Sequence, residues 1–115
     1  MHAIMLASSD AIDWMRNNVG AMNANPRCPH CGMRPRPQYA DQWIRYGVGG
    51  PGGADLLGIL RNSGRLIACE VKTPRGRLTD DQRRFADRVT HDGALYILAR
   101  SPDDVHAALD GIHHD

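Results

Sequence analysis

Residues 66–72, Leu66-Ile67-Ala68-Cys69-Glu70-Val71-Lys72, constrain this chain more than any other stretch. They form an apolar run of strand length that reads as a buried strand. Yet they hold the only glutamate and the only lysine among the 115 residues. Everywhere else acid is supplied by Asp and base by Arg. Side chains two apart on a strand share a face, so the Glu70 carboxylate and the Lys72 ammonium project side by side. Burying both charges is costly unless they pair or bind something. A general preference for Arg explains a stray surface lysine, but not a lone Lys beside a lone Glu in a core strand. The run points to a site.

The length suits one domain over residues 1–115 with one modest core. A net charge of +1 gives no sign of a nucleic-acid partner by itself. Between Lys72 and Arg88, six basic residues stand against Asp80, Asp81 and Asp87. That mild excess fits a solvated helix face as well as a phosphate-facing one. Three cysteines do not complete a disulfide framework, and no signal peptide or long apolar span is present. The chain is therefore expected to be soluble and cytoplasmic, with no membrane partner.

Along the chain, His2 to Ser8 forms a turn or two of helix, and Ile12 to Met15 begins a strand leading into Arg16-Asn17-Asn18-Val19-Gly20. A loop at about 23–41 carries four of the seven prolines and the segment Cys28-Pro29-His30-Cys31-Gly32, and no regular element is expected through it. Trp43 to Val48 reads as a strand, Gly49 to Gly53 as a glycine-rich turn, and Asp55 to Leu60 as another strand. Asn62-Ser63-Gly64 connects it, hairpin-fashion, to the strand of Glu70. Thr79 is an N-cap with Gln82 at N3, a capping box. Phe85, Ala86 and Val89 form the apolar stripe of the helix that follows. Ala94 to Ala99 is a buried strand, and Ser101-Pro102 opens a last helix with Val105, Ala108 and Leu109 inward. The order so counted is α-β-β-β-α-β-α, an α/β fold.

Asp55 lies fifteen residues before Glu70, with the hairpin reversal midway between them. The two carboxylates should stand nearly abreast, an oxygen-rich site for a hard divalent cation such as Mg²⁺ or Mn²⁺. The carbonyl of Val71 offers a further ligand, and Lys72 would be a compact charge beside the metal, facing a water or a phosphoryl oxygen. A hairpin salt bridge of Asp55 or Glu70 with Lys72 is the plainer alternative for so short a pattern.

The longer strings are more specific. Gly52-Gly53-Ala54-Asp55-Leu56-Leu57-Gly58, the run from Glu70 through Lys72, Gly76 and Gln82 to Phe85, and Gly93 to Ser101 together resemble the VRR-NUC branch of the PD-(D/E)XK nuclease superfamily. Trp14 to Gly20 and Trp43 to Gly47 are similar to segments of the same family, so the resemblance covers most of the chain. It implies a restriction-endonuclease-like core, a central mixed sheet flanked by helices, and metal-dependent endonuclease hydrolysis of DNA. It assigns Asp55 and Glu70 to the metal, Lys72 to catalysis and Gln82 to the edge of the site, although a capping box explains Gln82 as well. Arg16, Arg75 and Arg77 are candidate DNA contacts that also read as ordinary solvated arginines. Stand-alone relatives suggest structure-selective cleavage of branched DNA or four-way junctions by a homodimer. A compact chain of this kind suits a phage or mobile element, acting in the host cytoplasm if of phage origin. The alternatives are a non-catalytic DNA-binding module on the same fold and a zinc-bridged interaction protein.

Two departures from the family stand out. Residues 2–8 carry no acid where relatives usually have a metal-binding glutamate: either that carboxylate is absent, or His2, Asp10 or Asp13 substitutes, or the true start lies upstream. The Cys28–Cys31 insertion resembles one knuckle of a zinc ribbon, but zinc needs four ligands and there is no second Cys pair. Cys69 alternates to the opposite face from Glu70. His2, His30, His113, His114 or a symmetry-related Cys pair remain as partners for a structural Zn²⁺.

Overall fold

The computed structural model of the chain describes residues 1–113. Its elements are α1 (His2–Ala7), β1 (Ile12–Arg16), β2 (Gly20–Asn23), β3 (Trp43–Tyr46), β4 (Leu56–Leu60), β5 (Leu66–Val71), α2 (Asp80–His91), β6 (Leu95–Ala99) and α3 (Pro102–His113). Five strands precede α2 among the described residues, not the three of the sequence-based order. The start of a strand at Ile12 becomes a full edge strand, paired antiparallel with β4 from Ile12↔Leu60 to Arg16↔Leu56. The segment 20–23 carries no strand signal of its own, since Gly20-Ala21-Met22-Asn23 has neither β-branched residues nor alternation. It is extended because β3 pairs with it across the long loop, from Gly20↔Tyr46 to Asn23↔Trp43.

The main sheet runs β1-β4-β5-β6. β4 and β5 form an antiparallel hairpin, while β5 and β6 are parallel, with α2 in the crossover. This is a mixed sheet flanked by helices. The pleat sends Ile67 and Cys69 to one face, where they join Ile4, Ile12, Leu56, Ile97, Val105 and Leu109 under α1 and α3. Ala68 goes to the other face, with Ala54, Leu57 and Phe85 under α2. Glu70 lies on that second face, at the end of the apolar layer rather than in its middle.

Helix α2 starts where the sequence places it. The Thr79 side chain accepts the Gln82 N–H, and the Gln82 side chain accepts the Thr79 N–H. The buried Phe85 anchors the helix to the sheet, which stabilises the fold by roughly 1.5–3 kcal/mol. The glycine-rich turn seats directly on the helix start. A Cβ at Gly52 would lie 2.3 Å from the Asp81 carbonyl, and Gly52 has a φ of +83°, so only glycine fits.

β2 and β3 pair only with each other and carry residues 24–42 beyond their far end, making an arm. The molecule is accordingly long, 61 Å by 29 Å by 27 Å. The loop has no strand or helix, as expected, but a fully buried asparagine organises it. Asn25 donates to the carbonyls of Arg36, Tyr39 and Ala40 and accepts the Arg36 N–H. No helix of the described residues is long and apolar enough to cross a membrane.

Candidate active site

The pairing Leu56↔Cys69 continues one step to set Asp55 beside Glu70, as the spacing predicted. The two residues brace each other through the backbone. The Asp55 N–H donates to Glu70 Oε2 at 3.2 Å, and the Val71 N–H donates to Asp55 Oδ2 at 3.0 Å. Lys72 follows the last residue of β5, yet its N–H still donates to the Ala99 carbonyl at 3.0 Å. The ladder with β6 therefore aims its side chain, and Lys72 Nζ lies 3.7 Å from Glu70 Oε1.

Gln82 meets the same carboxylate from above. Its Nε2 donates to Glu70 Oε1 at 2.9 Å, while its Oε1 accepts the Thr79 N–H at 2.9 Å. The helix cap and the site share one amide. The cap fixes the amide oxygen and leaves the NH₂ to point at the sheet end.

Glu70 is 4% exposed. Burial and then the neighbouring Asp55 carboxylate push its pKa up to about 7, while Lys72 and the Asp55 N–H pull it the other way. Of the two adjacent carboxylates only Glu70 pairs with a cation among the described residues, so the site is short of positive charge. That deficit and its oxygen donors fit one hard divalent cation. No group of three His, Cys, Asp or Glu side chains able to hold a metal occurs among the described residues. Asp10, Asp13 and His2 form no such group with Asp55 and Glu70. Asp13 pairs with Ile59, four positions along β4 from Asp55.

The remaining sequence candidates are dispersed. Arg16 is exposed at the end of β1, opposite Leu56. Arg75 and Arg77 are exposed on the loop that leaves Lys72. Cys28 and Cys31 lie on the arm, and neither His2 nor His30 forms a metal-binding group with them. His114 lies outside the described residues, as does the side chain of His113. Cys69 is buried on the opposite face, its thiol pushed up to about 12 by burial, and is a packing residue.

A model of the VRR-NUC domain matches residues 10–103, most of the chain. The chain belongs to the VRR-NUC family. Membership implies a nuclease or DNA-binding function with DNA as the substrate, in a family that generally uses divalent metal ions. The mixed sheet between helices is consistent with a VRR-NUC nuclease fold. No match was found among the curated proteins or the solved structures.

Two residues beside this VRR-NUC site carried no role in the sequence. Asn17 straps the base of the arm to the start of β4. Its Nδ2 donates to the carbonyls of Val48 at 2.8 Å and Ala54 at 2.9 Å, its Oδ1 accepts the Val48 N–H, and its own N–H donates to the Asp55 carbonyl. The sequence marked Asn17 only as part of a family-like segment. Tyr96, on β6 under α2, buries a hydroxyl with no hydrogen-bond partner among the described residues. Burial raises its pKa, with the Glu70 charge adding to the effect.

Proposed function

We propose that this chain is a metal-dependent DNA endonuclease of restriction-endonuclease-like build, hydrolysing phosphodiester bonds. The observation that carries the reading is the pair Asp55 and Glu70 set side by side, with the chain's one ammonium 3.7 Å from Glu70. Asp55, Glu70 and the Val71 carbonyl would hold one Mg²⁺ or Mn²⁺. Such a cation supplies polarisation of the scissile phosphate and a lowered pKa for a bound water. The residues supply the rest. Gln82 and the two backbone N–H donors fix the carboxylates before substrate arrives, so no reorganisation is needed during the reaction. Lys72 faces the phosphoryl oxygen on which negative charge develops. The water oxygen forms the new P–O bond as the bond to the leaving oxygen breaks, giving one phosphate end and one hydroxyl end. Arg16, Arg75 and Arg77 are exposed around the sheet end and would hold the backbone on either side.

Apart from the arm, little chain lies outside the core to read a base sequence. Selection by DNA shape is the matching substrate preference, with branched DNA cut by a homodimer. Incubation with flaps, forks, four-way junctions and linear duplex, each with Mg²⁺, Mn²⁺ or chelator, tests this. Metal-dependent cleavage strongest on a branched substrate is the expected result. Tight binding without cleavage in any metal would make the chain a DNA-binding module instead.

A further inference from the structure

The arm carries chemistry that the nuclease reading does not use. At its far loop, Cys28 and Cys31 sit on one tight turn. The Gly32 N–H donates to the Cys28 carbonyl at 2.8 Å, and the Cys28 N–H donates to the Met33 carbonyl at 2.7 Å. Gly32 closes the turn with a φ of +72° and open space around it. Two cysteines bracketing one tight turn have the spacing of paired thiolate ligands on one side of a zinc ion.

This is half a tetrahedral site. No third His, Cys, Asp or Glu joins the two thiols among the described residues. The arm is unfinished in a second way. Met22, Ile44 and Tyr46 share one face of the β2–β3 ribbon and are all about half exposed or more. A two-stranded ribbon with an open apolar face is marginal on its own in water. Both features call for cover at the arm, and a second copy of the chain brings two more thiols in the same geometry.

We propose that Cys28 and Cys31 of two copies of this chain together bind one zinc ion, joining the copies through their arms. Four thiols lose their protons on binding, leaving a centre with two net negative charges. Arg27, which donates to the Gly32 carbonyl at the turn itself, offsets that charge from each copy. The inference stands apart from the nuclease reading, because metal content and mass are measured without DNA.

The test uses tag-free full chain, purified with reductant and zinc, with metal analysis and light scattering. The expected result is one zinc per two chains in a dimer. Chelation should split it into folded monomers, and zinc should restore it. Cobalt substitution should give a spectrum of four thiolates rather than two. Cys28→Ser and Cys31→Ser should each be zinc-free and monomeric, with the main thermal transition retained. If a serine variant fails to fold, chelation of the parent gives the same readout. One zinc per monomer, a reduced parent that retains none, or a dimer that persists in both serine variants would each overturn the inference.

Discussion

Gln82 donates from Nε2 to Glu70 Oε1 at 2.9 Å while the other end of its amide caps helix α2. The start of the helix and the candidate metal site are thus one structural unit, and a change at either partner is felt by both.

Gln82→Glu keeps an oxygen for the Thr79 N–H, so the helix start survives. Its second oxygen meets Glu70 with no hydrogen between them. In metal-free buffer at pH 8 the melting temperature should fall by several degrees, a destabilisation of about 1 kcal/mol. The gap should close at pH 5.5, where the two carboxyls share a proton, and on adding Mn²⁺. Gln82→Leu loses the cap and the donor together, so its deficit should persist under all three conditions. Equal melts for Gln82→Glu and the parent at pH 8 would contradict the contact.

Glu70→Gln and Lys72→Ala should both abolish cleavage, but for different reasons. The first preserves shape and removes a charged ligand, so calorimetric Mn²⁺ affinity should weaken and high Mn²⁺ should recover part of the rate. The second removes a neighbouring positive charge, so Mn²⁺ affinity should hold or tighten. Its loss should lie in turnover and resist added metal. If the pair were only a buried salt bridge, each change would instead destabilise the fold by roughly 3–5 kcal/mol.

The raised Glu70 carboxyl sets a sign for pH dependence. Its folded value of about 7 lies above the ordinary 4.5, so between them the folded chain holds a proton that the unfolded chain releases. The stability this contributes is full below about pH 4.5 and is lost as pH rises through 7. Metal-free parent should therefore melt progressively lower from pH 5 to pH 8, with Glu70→Gln flatter over that range. Mn²⁺ displaces the same proton, so its affinity should climb up to about pH 7 and then level. Identical pH slopes in parent and variant would show that the carboxyl is not shifted.

Asn17→Ala removes the strap between the arm and β4. The carbonyls of Val48 and Ala54 and the Val48 N–H lose their partner. The cost should be about 1–3 kcal/mol, and hydrogen exchange should quicken at residues 48–55 more than in β5 or α2. Cleavage should fall through misplacement of Asp55, with metal affinity reduced in step. Asn17→Asp should be no better, since a carboxylate cannot donate to the two carbonyls. A normal exchange pattern at 48–55 in Asn17→Ala would rule the strap out.

The sequence alone determined the hairpin around Asn62 and Gly64, the capping box at Thr79, and the abreast placing of Asp55 and Glu70. Each depends on residues near in the chain or on the fixed two-residue period of a strand, and short-range geometry leaves few alternatives. It also determined the family, because the spaced motifs stand in the sequence itself. Tertiary structure decided the rest. β2 has no strand signal of its own and is extended only because β3 pairs with it across the loop. Asn17 and Asn25 look like ordinary loop asparagines until the carbonyls they gather are brought together from 11 to 37 residues away. Glu70 acquires its raised pKa from burial and from Asp55 together, neither of which is a property of residue 70. Polar groups take their roles from the partners that folding delivers, and those partners are distant in the chain.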